Sequence, residues 1–426
     1  MLFLSEEFGF TDEEATWCYT TYNLFVPVYG FAIGTWVDNM GAKWSLTCGF
    51  FVLFCARMAL TCVSSIDALL FVLFIWLPLG SALCGPAMMI GLKRHVNAQN
   101  LTSGFSIFYV AMNLAALSAA PAVDAFHLRW PQEVELGPFA GVVYRISSCR
   151  TVMFLSAVVT LVSFLISFLF LRDAVEKFED RKSLQSPGTL YTEVLREQRF
   201  WRYVLLVMLL VGVRFVHRSI EDTFPLYMQR ELGPESTFGA VLAINPSCVI
   251  VTLPLITILF LDFPTVKMIW SGAVVTSVSP LVLAAGHSYT TSVAFVTVLS
   301  LGEAVWCPRL FEYTMTMAPT GREGTFMALA ATPTLLASGI YGSISHAMLE
   351  ALCPEHGERR SELMWLAVSS VAILSATVMG LLIDVIEPPG ARVPIPRKMQ
   401  TLRGHGWGAH ERMEIDPSQP WHKRVF

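Results

Sequence analysis

Eleven apolar stretches recur along this chain of 426 residues, each close to the length that crosses a bilayer as a helix. They run at about 17–37, 44–63, 68–92, 105–126, 149–171, 203–222, 238–261, 266–286, 291–311, 324–349 and 363–384. Backbone polar groups facing lipid must be satisfied within their own segment, so these stretches are expected to be helices. The expected class is therefore an all-α polytopic membrane protein, with the lipid bilayer as its solvent. Only 15% of the residues are charged and 54% are hydrophobic, whereas a soluble chain carries about 25% charged residues. The net charge of −4 and the lack of a basic stripe point away from nucleic acid. The nine cysteines form no disulfide or zinc framework. Cys48, Cys55, Cys62, Cys84, Cys248 and Cys307 lie in apolar runs as small packing residues, and a pairing is open to Cys149 and Cys353 in external loops. The start, MLFLSEEFGF, lacks the basic n-region of a cleavable signal peptide.

Lysine and arginine set the orientation. With the loop after the first run on the cytosolic side, 20 of the 29 basic residues fall in cytosolic segments and six on the opposite side. Arg57, Arg214 and Arg218 fall within spans. The N-terminal segment and the 129–148 loop are then external or lumenal. The sequon Asn100-Leu101-Thr102 is cytosolic and expected to stay bare. The 172–202 stretch reads as a cytosolic linker between a five-helix bundle (1–171) and a six-helix bundle (203–386). The tail 387–426 is rich in Pro, Gly, Arg and His and is expected to be disordered.

The loop after the first run reads Gly34-Thr-Trp-Val-Asp38-Asn39-Met-Gly41-Ala-Lys43. It resembles the loop signature of the major facilitator superfamily, G-x-x-x-D-R-x-G-R-[RK], with Asn39 where the arginine is usual. Gly34, Asp38, Gly41 and Lys43 match. An acid at a helix end can hold the positive N-terminus of a neighbouring helix in one state and release it in another, which is what a gate requires. Further motifs are similar to those of the proton-coupled oligopeptide transporters: Phe108-Tyr109 with Asn113, Asn245-Pro246 with Pro254, and Glu303 with Pro308 and the pair Ala318-Pro319. The resemblance spans residues 10–385. It implies two helical bundles related by internal repeats, rocking about a central site. It also implies that residues 1–16 correspond to the end of the family's first helix and its outer loop, so that the first of twelve helices is missing here. The chain departs from the family at Gly85, where a lysine is common.

Ionisable groups within spans cost at least ~2.5–3.5 kcal/mol to insert, so they face a cavity or a partner. Glu303 lies midway along its run and is expected to bind a substrate amine or carry a proton. Arg214, His217, Arg218 and Glu221 share one helical face. Two arginines suit a substrate carboxylate, and His217, Glu221 and Glu303 are the proton-coupling candidates. An internal Arg–Glu network is the alternative for that face. Tyr109 and Asn113 share a face and offer hydrogen bonds to a ligand, or Asn113 bonds another helix. Arg57 reads as a structural pairing, and Glu312 as a pairing near the gate. No H-E-x-x-H, G-x-S-x-G or P-loop is present, and no enzyme, metal site or cofactor is expected beyond a proton gradient. The expected function is secondary active transport of a small polar organic solute by alternating access. The resemblance favours proton-coupled uptake of short peptides or amino acids across a plasma or organelle membrane. A non-transporting receptor or scaffold on the same fold is the alternative.

Overall fold

The computed structural model describes residues 2–97, 100–129, 133–139, 142–171, 192, 195–233, 236, 238–261, 263–318 and 322–387. Most of the expected linker and nearly all of the tail lie outside the described residues. After a short α1 (Leu2–Phe8) come α2 (Asp12–Cys62), α3 (Ile66–His95), α4 (Leu101–Arg129) and α5 (Ser148–Leu169). The second half holds α6 (Gln198–Leu209), α7 (Val211–Asp222), α8 (Phe224–Leu232), α9 (Phe238–Leu259), α10 (Thr265–Ala284) and α11 (Tyr289–Met317). It ends with α12 (Glu323–Leu352), α13 (Ser361–Leu381) and the short α14 (Ile383–Ile386).

Each of the eleven apolar runs falls on helical structure. Eight helices among the described residues are long and apolar enough to cross a membrane, or nine with α6 and α7 taken as one bent span. The first two runs both lie on α2, which is two helices meeting at a kink where Gly41 leaves the helical conformation. Gly41 adopts φ 81° there, a left-handed conformation that glycine enters without a Cβ clash. The 129–148 loop contains an antiparallel hairpin, β1 (Glu133–Phe139) with β2 (Val142–Ser147), the only strands among the described residues. The α6 helix begins at Gln198, within the stretch read as the linker.

Breaks in the helices have local causes. In α3 a π-turn at Val72–Trp76 precedes Pro78, whose ring cannot take its place in the regular ladder. The 46° bend between α6 and α7 has no proline. Instead the Ser375 hydroxyl of α13 donates to the Leu209 carbonyl, and an inserted side chain of this kind diverts a carbonyl from the helical ladder.

Each half has its own core. In the first, Val37, Leu46 and Leu53 of α2 meet Leu83, Ala87 and Ile90 of α3. In the second, Trp306 and Phe326 anchor one end, and Phe224, Tyr227, Phe295 and Trp365 the other. The outward faces are apolar as well: Phe170, Ile258 and Leu381 are each at least 75% exposed, as suits a surface wetted by acyl chains. Apolar burial gives little drive between helices in lipid, so close packing and interhelical hydrogen bonds hold them. Arg57 supplies one such tie. Its guanidinium donates to the Ser156 carbonyl at 3.1 Å and the Thr160 hydroxyl at 2.5 Å, joining α2 to α5. Replacing Arg57 with leucine is expected to cost about 1.5–3 kcal/mol, on the scale of hydrogen bonds to a charged group. A lower thermal midpoint with unchanged solute uptake per folded molecule would bear this out. Loss of uptake at full stability would contradict a structural role.

Candidate functional site

Two polar assemblies join the halves. The first lies at the end of the bundle that carries Lys43, Lys93 and Arg94. Asp38, three residues before the bend in α2, accepts from the backbone N–H groups of Gly324 (2.6 Å) and Thr325 (2.8 Å) and from the Thr325 hydroxyl (2.6 Å). These donors form the first turn of α12, where unpaired N–H groups and the helix dipole favour a carboxylate. The approach requires glycine on both sides. A Cβ on Gly34 would sit 2.9 Å from the Gly324 carbonyl, and one on Gly324 would sit 2.6 Å from the Gly34 carbonyl. Beside this contact Glu323, buried in the same first turn, pairs with Lys93 (3.2 Å) and Arg94 (3.5 Å) of α3, and Lys93 also donates to the Ala318 carbonyl. One turn further in, Thr102 of α4 donates to Glu312, which pairs with the buried Arg309. Lys43 stacks on Trp44 at 5.7 Å. The basic end of the molecule is thus closed by contacts between the halves.

The second assembly lies midway along α11, around Glu303. Tyr109 of α4 donates to one carboxylate oxygen at 2.5 Å, and Asn245 of α9 donates to the other at 2.8 Å. His217 of α7 places Nε2 3.6 Å from that second oxygen, within ion-pair range but beyond a hydrogen bond. Four helices, one from the first half and three from the second, therefore meet on one carboxylate. One turn along α11, the Trp306 ring takes the edge of His217 at 5.4 Å and the Arg214 guanidinium at 5.6 Å. Arg214 Nε and both ring nitrogens of His217 are buried without a hydrogen-bond partner among the described residues. Cys307 completes the cluster: donor atoms of His217, Glu303 and Cys307 lie within 4.8 Å of one another.

Of the residues singled out in the sequence, Tyr109, Arg214, His217 and Glu303 come together here. Arg218 and Glu221 do not join them. Arg218 is committed to Glu221 at 2.6 Å and Asp222 at 3.1 Å, and Glu221 is half exposed. Side chains three and four apart on a helix can pair with each other as readily as they face a cavity. Asn113 donates its amide to the Tyr109 carbonyl one turn back, so that donor stays within α4. The roles of Asn245, Cys307 and Glu323 had no local signal. Asn245 stood in a proline motif, Cys307 in an apolar run, and Glu323 at an ordinary helix start. All nine cysteines are free thiols, Cys149 and Cys353 included.

Residues 1–343 match the family model of the Major Facilitator Superfamily. Among solved structures, the fold is similar to a POT family transporter in complex with 5-aminolevulinic acid. The TM-score is 0.61 at 15% identity, over 86% of this chain and 87% of that one. It is similar to the human organic anion transporter MFSD10 (TETRAN), with TM-score 0.62 at 15% identity, over 85% and 83% of the two chains. It is also similar to FucP in the outward conformation, with TM-score 0.67 at 13% identity, over 89% and 93%. No curated protein sequence matches. At these identities the likeness establishes the fold.

Proposed function

The chain belongs to the major facilitator superfamily, and from that membership we propose that it is a secondary active transporter of a small organic solute with an anionic group. Its two halves rock about the Glu303 assembly. The observation that carries this reading is Arg214: a guanidinium inside the bundle, held over Trp306, its Nε buried and unpaired and no carboxylate in ion-pair range among the described residues. A carboxylate from outside the chain would complete it. The basic end is taken as cytosolic from the lysine and arginine distribution, so the closed gate faces the cytosol and the site is reached from the other side.

Short peptides and amino acids are the favoured solutes. Their carboxylate would meet Arg214, and an ammonium group would reach Glu303 by displacing Tyr109 or Asn245. Such an exchange would break the Tyr109–Glu303 contact between the halves and so link binding to opening. The relatives named for 5-aminolevulinic acid and for organic anions support an anionic solute on this fold. His217, 3.6 Å from Glu303, is the candidate relay for a coupled proton.

Uptake into proteoliposomes under an imposed pH gradient tests this, with a panel of di- and tripeptides, amino acids and organic anions. The expected result is gradient-driven uptake in the wild type that Glu303→Gln no longer couples to the gradient. Uptake unchanged in rate and pH dependence by Glu303→Gln would remove that residue from coupling. Failure of well-folded protein to move any of these solutes would move the weight to a receptor.

A further inference from the structure

We propose that His217, Glu303 and Cys307 form a binding site for a borderline-soft divalent metal ion of the zinc class. The three side chains supply one imidazole nitrogen, one carboxylate oxygen and one sulfur. A mixed set of this kind suits zinc or cobalt better than magnesium or calcium, which prefer all-oxygen shells. Glu303 and Cys307 lie four residues apart on the same face of α11, and His217 reaches them from α7. The donor atoms all fall within 4.8 Å of one another, and His217 Nε2 is already 3.6 Å from the Glu303 oxygen. Tetrahedral zinc with these ligand types sets donor-to-donor edges of about 3.4–3.6 Å. One edge therefore has its final length, and the rest need closure of about an ångström.

Three further features favour the site. Both ring nitrogens of His217 are buried and hydrogen-bonded to nothing among the described residues, so the imidazole is available as a ligand. The Glu303 carboxylate is held from outside the trio by Tyr109 and Asn245, the kind of outer hydrogen bonding that orients a ligating group. Charge also balances. The metal's two positive charges meet Glu303 and the Cys307 thiolate, with His217 neutral, so the filled site is itself neutral. Binding releases the Cys307 thiol proton to solvent, and the metal–sulfur bond replaces the S–H bond. With three protein ligands a fourth position stays open. Both ligand-bearing helices belong to the second half, so the ion does not bridge the halves.

The site shares Glu303 with the proposed transport mechanism, but its test needs neither a gradient nor a solute, so either reading can fail alone. The full chain in detergent, stripped of metal, is titrated with Co²⁺ and followed by absorption. The expected result is one Co²⁺ per chain with a thiolate-to-cobalt charge-transfer band, displaced by Zn²⁺. Cys307→Ser should abolish the band, and His217→Gln should weaken Co²⁺ binding by more than ~10-fold, as loss of a ligand exceeds the usual cost of disturbing an outer partner. Thermal midpoints in chelator report whether each variant is folded. His217→Gln carries the test alone if Cys307→Ser does not fold. No saturable Co²⁺ binding, a band that survives Cys307→Ser, or unchanged affinity in folded His217→Gln would each overturn the site.

Discussion

Asp38→Ala is expected to open the basic end of the molecule. The Asp38 carboxylate accepts three hydrogen bonds at 2.6–2.8 Å from the first turn of α12. Hydrogen bonds to a charged group contribute about 1.5–3 kcal/mol each, and loss of the acceptor leaves two N–H groups of the helix end unpaired. Not all of this is lost, because water enters an opening gate and because Lys93 and Arg94 still hold Glu323. A net loss of about 3 kcal/mol shifts the closed-to-open ratio by roughly 150-fold. Spin labels at the exposed positions Asn97 and Thr316, with exposed Cys62 replaced by serine, lie on opposite halves near this end. Their distance distribution should be short and narrow in the parent and dominated by a longer component in Asp38→Ala. Asp38→Asn should fall between, since a neutral amide oxygen still accepts. An unchanged distribution in Asp38→Ala would show that the glycine contact and the Glu323 pairs close the gate alone.

The Asp38 contact and the Glu303 assembly were legible to different degrees, for physical reasons. Asp38 and Gly41 announce themselves because a turn between two spans needs local residue types at fixed spacing. Glu303 stands out because a carboxylate midway along an apolar run is costly wherever it points. What each residue touches is a different matter. Asp38 and Thr325 lie 287 positions apart, and Glu303 and Asn245 lie 58 apart. No periodicity within one helix reports such a meeting. At Arg218 and Glu221 helical spacing showed a shared face but could not choose between a solute site and an internal Arg–Glu network, and the two side chains pair with each other along the helix. The bend between α6 and α7 was hidden because its cause, Ser375, lies on another helix. The β1–β2 hairpin did leave a trace. Glu133-Val134-Glu135-Leu136 alternates with period two, a strand signal overshadowed by the helical runs on either side.

Arg214→Met separates a ligand-binding arginine from a structural one. A structural arginine stabilises the protein through its partners. Arg214 has an aromatic ring beneath it, but its Nε is buried and bonded to nothing among the described residues. Keeping an arginine at such a depth costs at least ~2.5–3.5 kcal/mol on insertion scales. Methionine fills similar space without that cost, at the loss of a cation–π contact of about 0.5–2 kcal/mol. The thermal midpoint of Arg214→Met is therefore expected to equal or exceed that of the parent. Its effect on transport should be opposite and large. Truncating one partner of a buried charge pair costs about 2–5 kcal/mol, because the other charge is left in the site unpaired. Uptake of an anionic solute at sub-saturating concentration should then fall at least ~30-fold, and roughly 400-fold at the middle of that range. Arg218→Met is the control. It strips Glu221 and Asp222 of their common partner, so it should lower the thermal midpoint and leave the solute's apparent affinity within a few-fold of the parent. A stable Arg214→Met that still takes up solute at the parental rate would deny Arg214 the solute. Strong destabilisation of that variant would instead show that the guanidinium has a partner within the fold.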